Sequence, residues 1–183
     1  RRITARDTES LDLSAWRVAG VGAEMIHPEW LNAFAQALAP AGFSSKAFLP
    51  CYGMAECALA VSFSTVGGGT QIDYIDGELL SETGEAQSFA EGSESRRKGF
   101  VNCGAPLPGF EVEVRDDNGK VLAERHVGRI YLRSPSVMTG YYNSPDTTAE
   151  MLSAEGWLNT GDLGYRAAGA LYLTGRAKDL LII

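Results

Sequence analysis

Four short stretches of the chain set a charged or aromatic side chain beside small residues. They are Gly22-Ala23-Glu24, Tyr52-Gly53-Met54-Ala55-Glu56, Thr160-Gly161-Asp162 and Gly175-Arg176-Ala177-Lys178-Asp179. In each, the small residues let backbone come close to a ligand, and an acid, a cation or a ring stands ready to engage it. Each also has a plain structural reading. Gly-Ala after a strand packs closely, and Tyr52 serves as a core aromatic with a satisfied hydroxyl. Thr160-Gly161-Asp162 reads as an ordinary turn, since Gly and Asp dominate turns. Arg176 and Asp179 read as a surface pair worth little. Singly, none is specific; together and in this order, they are.

The elements around them read as α/β first and β later. Trp16 to Gly22 is strand-like and ends in small residues. Pro28 opens a helix, with Trp30, Leu31, Phe34, Ala35 and Leu38 on one face at helical spacing, and Pro40 and Gly42 end it. Ala47-Phe48-Leu49 is a second short strand, and the apolar run Ala55 to Val61 reads as helix. In an open α/β sheet ligands sit beyond the carboxyl ends of strands, where the Gly22 and Tyr52 stretches would lie. Residues 64–99 turn polar, with a strand or hairpin expected over Ile72 to Leu80. From Phe100 the pattern is β. Phe110, Val112 and Val114 alternate with Glu111, Glu113 and Arg115, Asp117-Asn118-Gly119 signals a hairpin turn, and Gly128 to Arg133 is a further strand. Thr147 to Leu152 reads as a short helix, and Trp157 to Gly161 returns to extended form. Several short strands at this spacing predict a small barrel or curled sheet.

Composition narrows the class. The 183 residues are 45% hydrophobic, enough for a real core, and the formal net charge of -7 argues against a nucleic-acid surface. The basic run Arg96-Arg97-Lys98 reads as a solvated loop. Three cysteines, Cys51, Cys57 and Cys103, with no CxxC pair, predict neither a disulfide framework nor a zinc site. No signal peptide and no long apolar run stand out, so a cytoplasmic location without membrane association is expected.

The order of the motifs resembles the adenylate-forming superfamily. Tyr52-Gly53-Met54-Ala55-Glu56 looks like its Tyr-Gly-x-x-Glu motif, Thr160-Gly161-Asp162 like its Thr-Gly-Asp motif, and Gly175 to Asp179 like its hinge motif. Within it the wording is most similar to fatty acyl-AMP ligases. Leu13 to Ala19, Gly22-Ala23-Glu24, Leu49 to Glu56, Val101-Asn102-Cys103-Gly104 and Thr174 to Leu180 carry that likeness, and Ile72 to Gly99 occupies the place of the family's insertion. The resemblance implies ATP and Mg²⁺ as cofactors and a carboxylate that attacks the α-phosphorus to give an acyl-adenylate. It implies a fatty acid substrate and transfer to an acyl-carrier-protein phosphopantetheine thiol. It assigns Tyr52 to stacking on adenine, at ~1–3 kcal/mol per base. Gly22, Ala23, Glu24, Gly53 and Met54 flank the purine, and Glu56 is a catalytic residue and Mg²⁺ ligand. Asp162 accepts from both ribose hydroxyls, Arg176 donates toward the ribose or its phosphate side, and Lys178 takes the hinge position.

The expected organisation follows: residues 1–65 as the α/β portion of the adenylation subdomain, and 66–99 as a polar insertion. Residues 100–175 form a β-barrel-like subdomain, and 176–183 a hinge segment toward a C-terminal domain. The resemblance puts the family's phosphate loop ahead of Arg1 and the lid with its lysine beyond Ile183. Thr65 to Thr70 is a poor stand-in for that loop and reads as a link. The chain alone is therefore expected to be inactive. Two other readings stay open: part of a long-chain acyl-CoA synthetase, or a non-catalytic interaction module.

Overall fold

The computed structural model describes residues 8–89 and 94–179. The leading elements are β1 (Ala19–Val21), α1 (Pro28–Leu38), β2 (Phe48–Met54) and β3 (Leu59–Phe63). The polar region supplies β4 (Ile72–Asp76), α2 (Gly77–Thr83) and β5 (Arg97–Val101). Then come β6 (Ala105–Pro106), β7 (Glu111–Arg115), β8 (Gly128–Arg133), α3 (Pro145–Met151), β9 (Leu158–Ala167) and β10 (Ala170–Arg176).

The first sheet has the order β1-β2-β3-β6, with β1 parallel to β2 and α1 as the crossover between them. Pro28 sits in the first turn of α1, where its missing N–H leaves no bond unmade. Leu31, Ala35 and Leu38 face Phe43, Ala47 and Phe48, while Trp30 is 66% exposed and packs on the His27 ring. The second sheet is an antiparallel meander, β10-β9-β8-β7. β5 lies beside β10, with the Asn102–Tyr172 bridge just past its end. One core joins the sheets: Tyr52 and Val61 from the first, with Cys57 from the turn between β2 and β3, meet Val112, Ile130, Leu158 and Leu171 from the second.

Several local expectations are corrected. Ala55 to Val61 is not helical; a single 3-10 turn, Ala55–Cys57, gives way to β3. Ala58 (φ 53) and Leu59 (φ 89) are both left-handed, which ends the turn and reverses the chain. A Cβ at Gly53 would lie 1.7 Å from the Leu59 carbonyl oxygen, so only glycine lets β3 approach β2 there. Ile72 to Leu80 is half strand and half helix. Asp76 caps α2, its Oδ1 accepting from the Glu78 and Leu79 N–H groups, and draws the chain out of β4. Thr160-Gly161-Asp162 lies inside β9, not in a turn, and Thr174-Gly175 lies inside β10 at a register shift. Arg97 and Lys98 belong to β5, and Arg96 pairs with Asp76 and with Glu78 at 3.1 Å, so the basic run is not a loop.

The polar region is bonded into the fold. Ile75 is fully buried with Ala86, Tyr165 and Ala167, and Leu80 packs against them. Tyr74 faces outward beneath the Arg97 guanidinium, 3.6 Å from its ring centroid. Asp73 accepts from the Tyr165 hydroxyl at 2.8 Å and pairs with Arg125 at 3.1 Å, linking β4 to β9.

All three cysteines are free. Burial pushes the Cys57 thiol up to about 11, with the nearby Glu56 charge adding to the effect, and the Cys103 thiol up to about 12. Burial raises the Cys51 thiol too, but Cys51 is half-exposed. The thiolate is the reacting form and must be reached by the reagent, so alkylation of the folded protein at pH 8 should spare the two buried thiols and mark Cys51. Mass spectrometry of iodoacetamide-treated protein before and after unfolding measures this. Equal labelling of Cys51 and Cys103 in the folded state would show that this core admits reagent.

Candidate active site

The parallel register sets Val21 beside Pro50, so Gly22 leaves β1 next to Cys51, one residue ahead of Tyr52. A Cβ on Gly22 would meet the Cys51 carbonyl oxygen at 2.8 Å, and the Cys51 thiol donates to the Val21 carbonyl at 3.3 Å. Ala23, at φ 70, turns the chain away and leaves itself and Glu24 exposed at the strand end. At Gly22 and Gly53 alike, the close approach is to the protein's own backbone. Met54 is half-buried against the main core.

Tyr52 is 8% exposed and its ring belongs to that core. Its hydroxyl donates to Asp162 Oδ2 at 2.6 Å, across 110 residues of sequence. Burial, reinforced by the Asp162 charge and this bond, holds the phenol well above its ordinary value, so it stays a donor. Asp162 Oδ1 lies 3.3 Å from Arg176 Nε, its cross-strand partner on β10. The carboxylate is largely covered, at 13% exposure, whereas Arg176 is 67% exposed. Thr160 fixes the backbone beneath: its hydroxyl donates to the Ile130 carbonyl at 2.9 Å and accepts the Asp162 N–H at 3.1 Å. Gly161, at φ 74, makes the kink that aims Asp162 at Tyr52. Each Asp162 oxygen thus keeps acceptor capacity for one more donor.

Glu56 sits on the 3-10 turn just past β2, half-buried. Its Oε1 accepts from the Tyr141 hydroxyl at 2.8 Å, and its carbonyl accepts the Met138 N–H at 2.7 Å. Burial first, then the bond to Glu56, pushes Tyr141 up to about 12. Among the described residues no three His, Cys, Asp or Glu side chains cluster as a metal cage. A lone carboxylate with one oxygen unengaged fits Mg²⁺, which takes one or two carboxylates alongside phosphate oxygens and water. Lys178 stands exposed in the 3-10 turn after β10, two residues past Arg176. A concavity between α2 and the segment from Ser95 to Lys98 holds none of these residues.

The motif stretches pointed to Tyr52, Asp162 and Arg176, whose side chains the fold brings together, but not to Tyr141. Its one local signal is the pair Tyr141-Tyr142 ahead of Pro145, which opens α3.

A mixed α/β fold that brings these motif residues together defines a class. The family model described as AMP-binding enzyme matches residues 1–142, and the chain belongs to that family. Over its whole length the chain is 48% identical to a Caulobacter vibrioides protein provisionally named an acyl-CoA synthetase, and covers 32% of that protein. It is 34% identical to the medium-chain-fatty-acid–[acyl-carrier-protein] ligase JamA of Moorena producens, again over 100% of the chain and 32% of the relative. Among solved structures, one from a study of fatty acyl-adenylate ligases of E. coli and L. pneumophila superposes with a TM-score of 0.91. It shows 47% identity, covering all of this chain and 33% of that one. The L. pneumophila fatty acyl-adenylate ligase in complex with acyl adenylate and pyrophosphate gives a TM-score of 0.89 at 35% identity, covering 99% of this chain and 32% of that one. The resemblance to fatty acyl-AMP ligases is therefore borne out, and the fold is that of the matching part of adenylate-forming enzymes. The chain spans about a third of the length of the relatives it matches. No helix among the described residues is long and apolar enough to cross a membrane.

Proposed function

We propose that the chain forms the adenosine-holding part of a ligase that activates a fatty acid with ATP and passes the acyl group to a carrier-protein phosphopantetheine thiol. The observation that carries this is the junction of Tyr52, Asp162 and Arg176, three motif residues drawn from both sheets. Asp162 accepts the ribose hydroxyls, and Arg176 donates to the sugar or its phosphate side. Tyr52 holds the Asp162 carboxylate in place, and the ends of β1 and β2, from Gly22 to Glu24 and Tyr52 to Met54, flank the purine. Glu56 is the residue to hold Mg²⁺, which when bound offsets phosphate charge as an anion attacks an anion. The chain's own part is positioning and charge placement. ATP, Mg²⁺ and a cytoplasmic setting belong to this reading.

The carrier-protein acceptor draws support from the likeness to JamA and from the insertion of residues 72–99. In the family resembled, that insertion restricts the lid rotation needed for CoA chemistry. The provisional naming of the Caulobacter relative favours a second reading, an acyl-CoA synthetase. Incubating the full-length protein with fatty acid and MgATP, then offering CoA or a phosphopantetheinylated carrier protein, separates the two. Pyrophosphate release with acyl transfer to the carrier alone is expected. Equal or faster acyl-CoA formation would overturn the acceptor assignment, and no pyrophosphate release would overturn the ligase reading.

The resemblance places the phosphate loop and the lid lysine outside these 183 residues. Loss of one preorganised charge-stabilising donor raises a barrier by ~2.7–4 kcal/mol, so loss of several together should leave the 183-residue chain without measurable turnover. Turnover by that chain within about tenfold of the full-length protein would show that the missing groups are dispensable and that the roles above are misassigned.

A further inference from the structure

We propose that Tyr141 is a positioning residue that sets the orientation of the Glu56 carboxylate and leaves its second oxygen for the metal. The assignment rests on the ligase reading above and adds to it a residue from outside the four motif stretches.

The segment between β8 and α3 grips Glu56 twice. The Met138 N–H donates to its carbonyl at 2.7 Å, and the Tyr141 hydroxyl donates to Oε1 at 2.8 Å. Tyr141 is itself held from behind. Its N–H donates to the Thr148 hydroxyl at 2.9 Å, and that hydroxyl donates on to the Ser144 carbonyl at 2.8 Å. Gly140 makes the fit possible, because a Cβ there would lie 2.8 Å from Thr148 Cγ2. The neighbouring Tyr142, the same residue type on the same segment, is 92% exposed. The fold therefore fixes one tyrosine of the pair and releases the other.

An ionised carboxylate only accepts, and a phenol is a good fixed donor to it. With Oε1 engaged, rotation of the carboxylate is checked and Oε2 is presented in one direction. Mg²⁺ tolerates little departure from octahedral geometry, so a ligand aimed in advance favours it over one that must be found among rotamers.

The test uses the full-length protein as wild type, Tyr141→Phe, Glu56→Gln and the double variant. Binding of Mn²⁺ in the presence of a non-hydrolysable ATP analogue is read from the electron paramagnetic resonance signal of the free ion, with the Mg²⁺ dependence of pyrophosphate release as a second readout. Tyr141→Phe should raise the metal concentration for half-saturation by about tenfold, the scale of one charge-assisted hydrogen bond. The KM for fatty acid and the melting temperature should stay close to wild type. In the Glu56→Gln background the same change should add nothing, because its effect acts through that carboxylate. Metal affinity within about twofold of wild type in Tyr141→Phe, or losses that multiply in the double variant, would overturn the assignment alone. A wild-type protein that binds no metal–nucleotide complex would overturn the ligase reading and this assignment with it.

Discussion

Replacing Asp162 by alanine in the full-length protein is expected to lower kcat/KM for ATP by roughly a hundredfold to ten-thousandfold. The range follows from two hydrogen bonds between a charged acceptor and ribose hydroxyls, at ~1.5–3 kcal/mol each. Asp162 is nearly covered, so water replaces those bonds poorly, and its loss also leaves the buried Tyr52 hydroxyl without its acceptor. Asparagine, which keeps one carbonyl oxygen, should fall between wild type and alanine. Pyrophosphate exchange at varied ATP measures the effect, with the fatty acid held at saturation. A drop of less than about tenfold for alanine, in a protein that still melts cooperatively, would remove Asp162 from the nucleotide site.

The second large effect is on stability. Asp73→Ala should destabilise the fold by about 3 kcal/mol, since it orphans the fully buried Tyr165 hydroxyl and unpairs Arg125. Arg125 is about a third exposed, which keeps the cost at the low end of that for a broken buried pair. For a chain of this size the loss corresponds to a fall in melting temperature of roughly 6–12 °C. Thermal denaturation followed by circular dichroism measures it. A shift under about 2 °C would mean that the polar region is held by its apolar contacts alone. A full shift would mean that this region moves as one body with β9, the strand that carries Asp162 three residues before Tyr165.

What the sequence made legible was whatever had a local period. The Leu31, Ala35 and Leu38 side of α1 and its Pro28 start were readable because burial repeats along a helix, though Trp30 and Phe34, read onto the same face, lie exposed. β7 was readable because burial alternates along a half-exposed strand. Ala55 to Val61 was not, because an apolar run without period looks alike as helix or strand, and left-handed Ala58 and Leu59 decided between them. Thr160-Gly161-Asp162 had turn composition, yet β8 and β10 on either side made it a kinked strand. The four motif stretches were visible as segments, and their order put Asp162 on the side facing Tyr52, as found, but the bonds that join distant residues were not visible. Tyr52 and Asp162 are 110 residues apart, Tyr141 and Glu56 are 85 apart, and Tyr165 and Asp73 are 92 apart. Contacts across such distances are set by how two sheets share one core, which no window of neighbouring residues encodes.

The close approach of Leu59 to Gly53 carries an evolutionary consequence. Leu59 holds a conformation that branched and bulky residues seldom adopt, and the residue is 72% exposed, so packing of its side chain does not maintain it. Its carbonyl is driven against the one position in the Tyr52 stretch that has no side chain. A lineage that relaxed the backbone at 58 and 59 would open room for a larger residue at 53, and one that enlarged 53 would have to rebuild the turn that carries Glu56. Positions 53, 58 and 59 are in this sense a single steric unit, and the glycine of the motif makes room for a residue six places further along the chain.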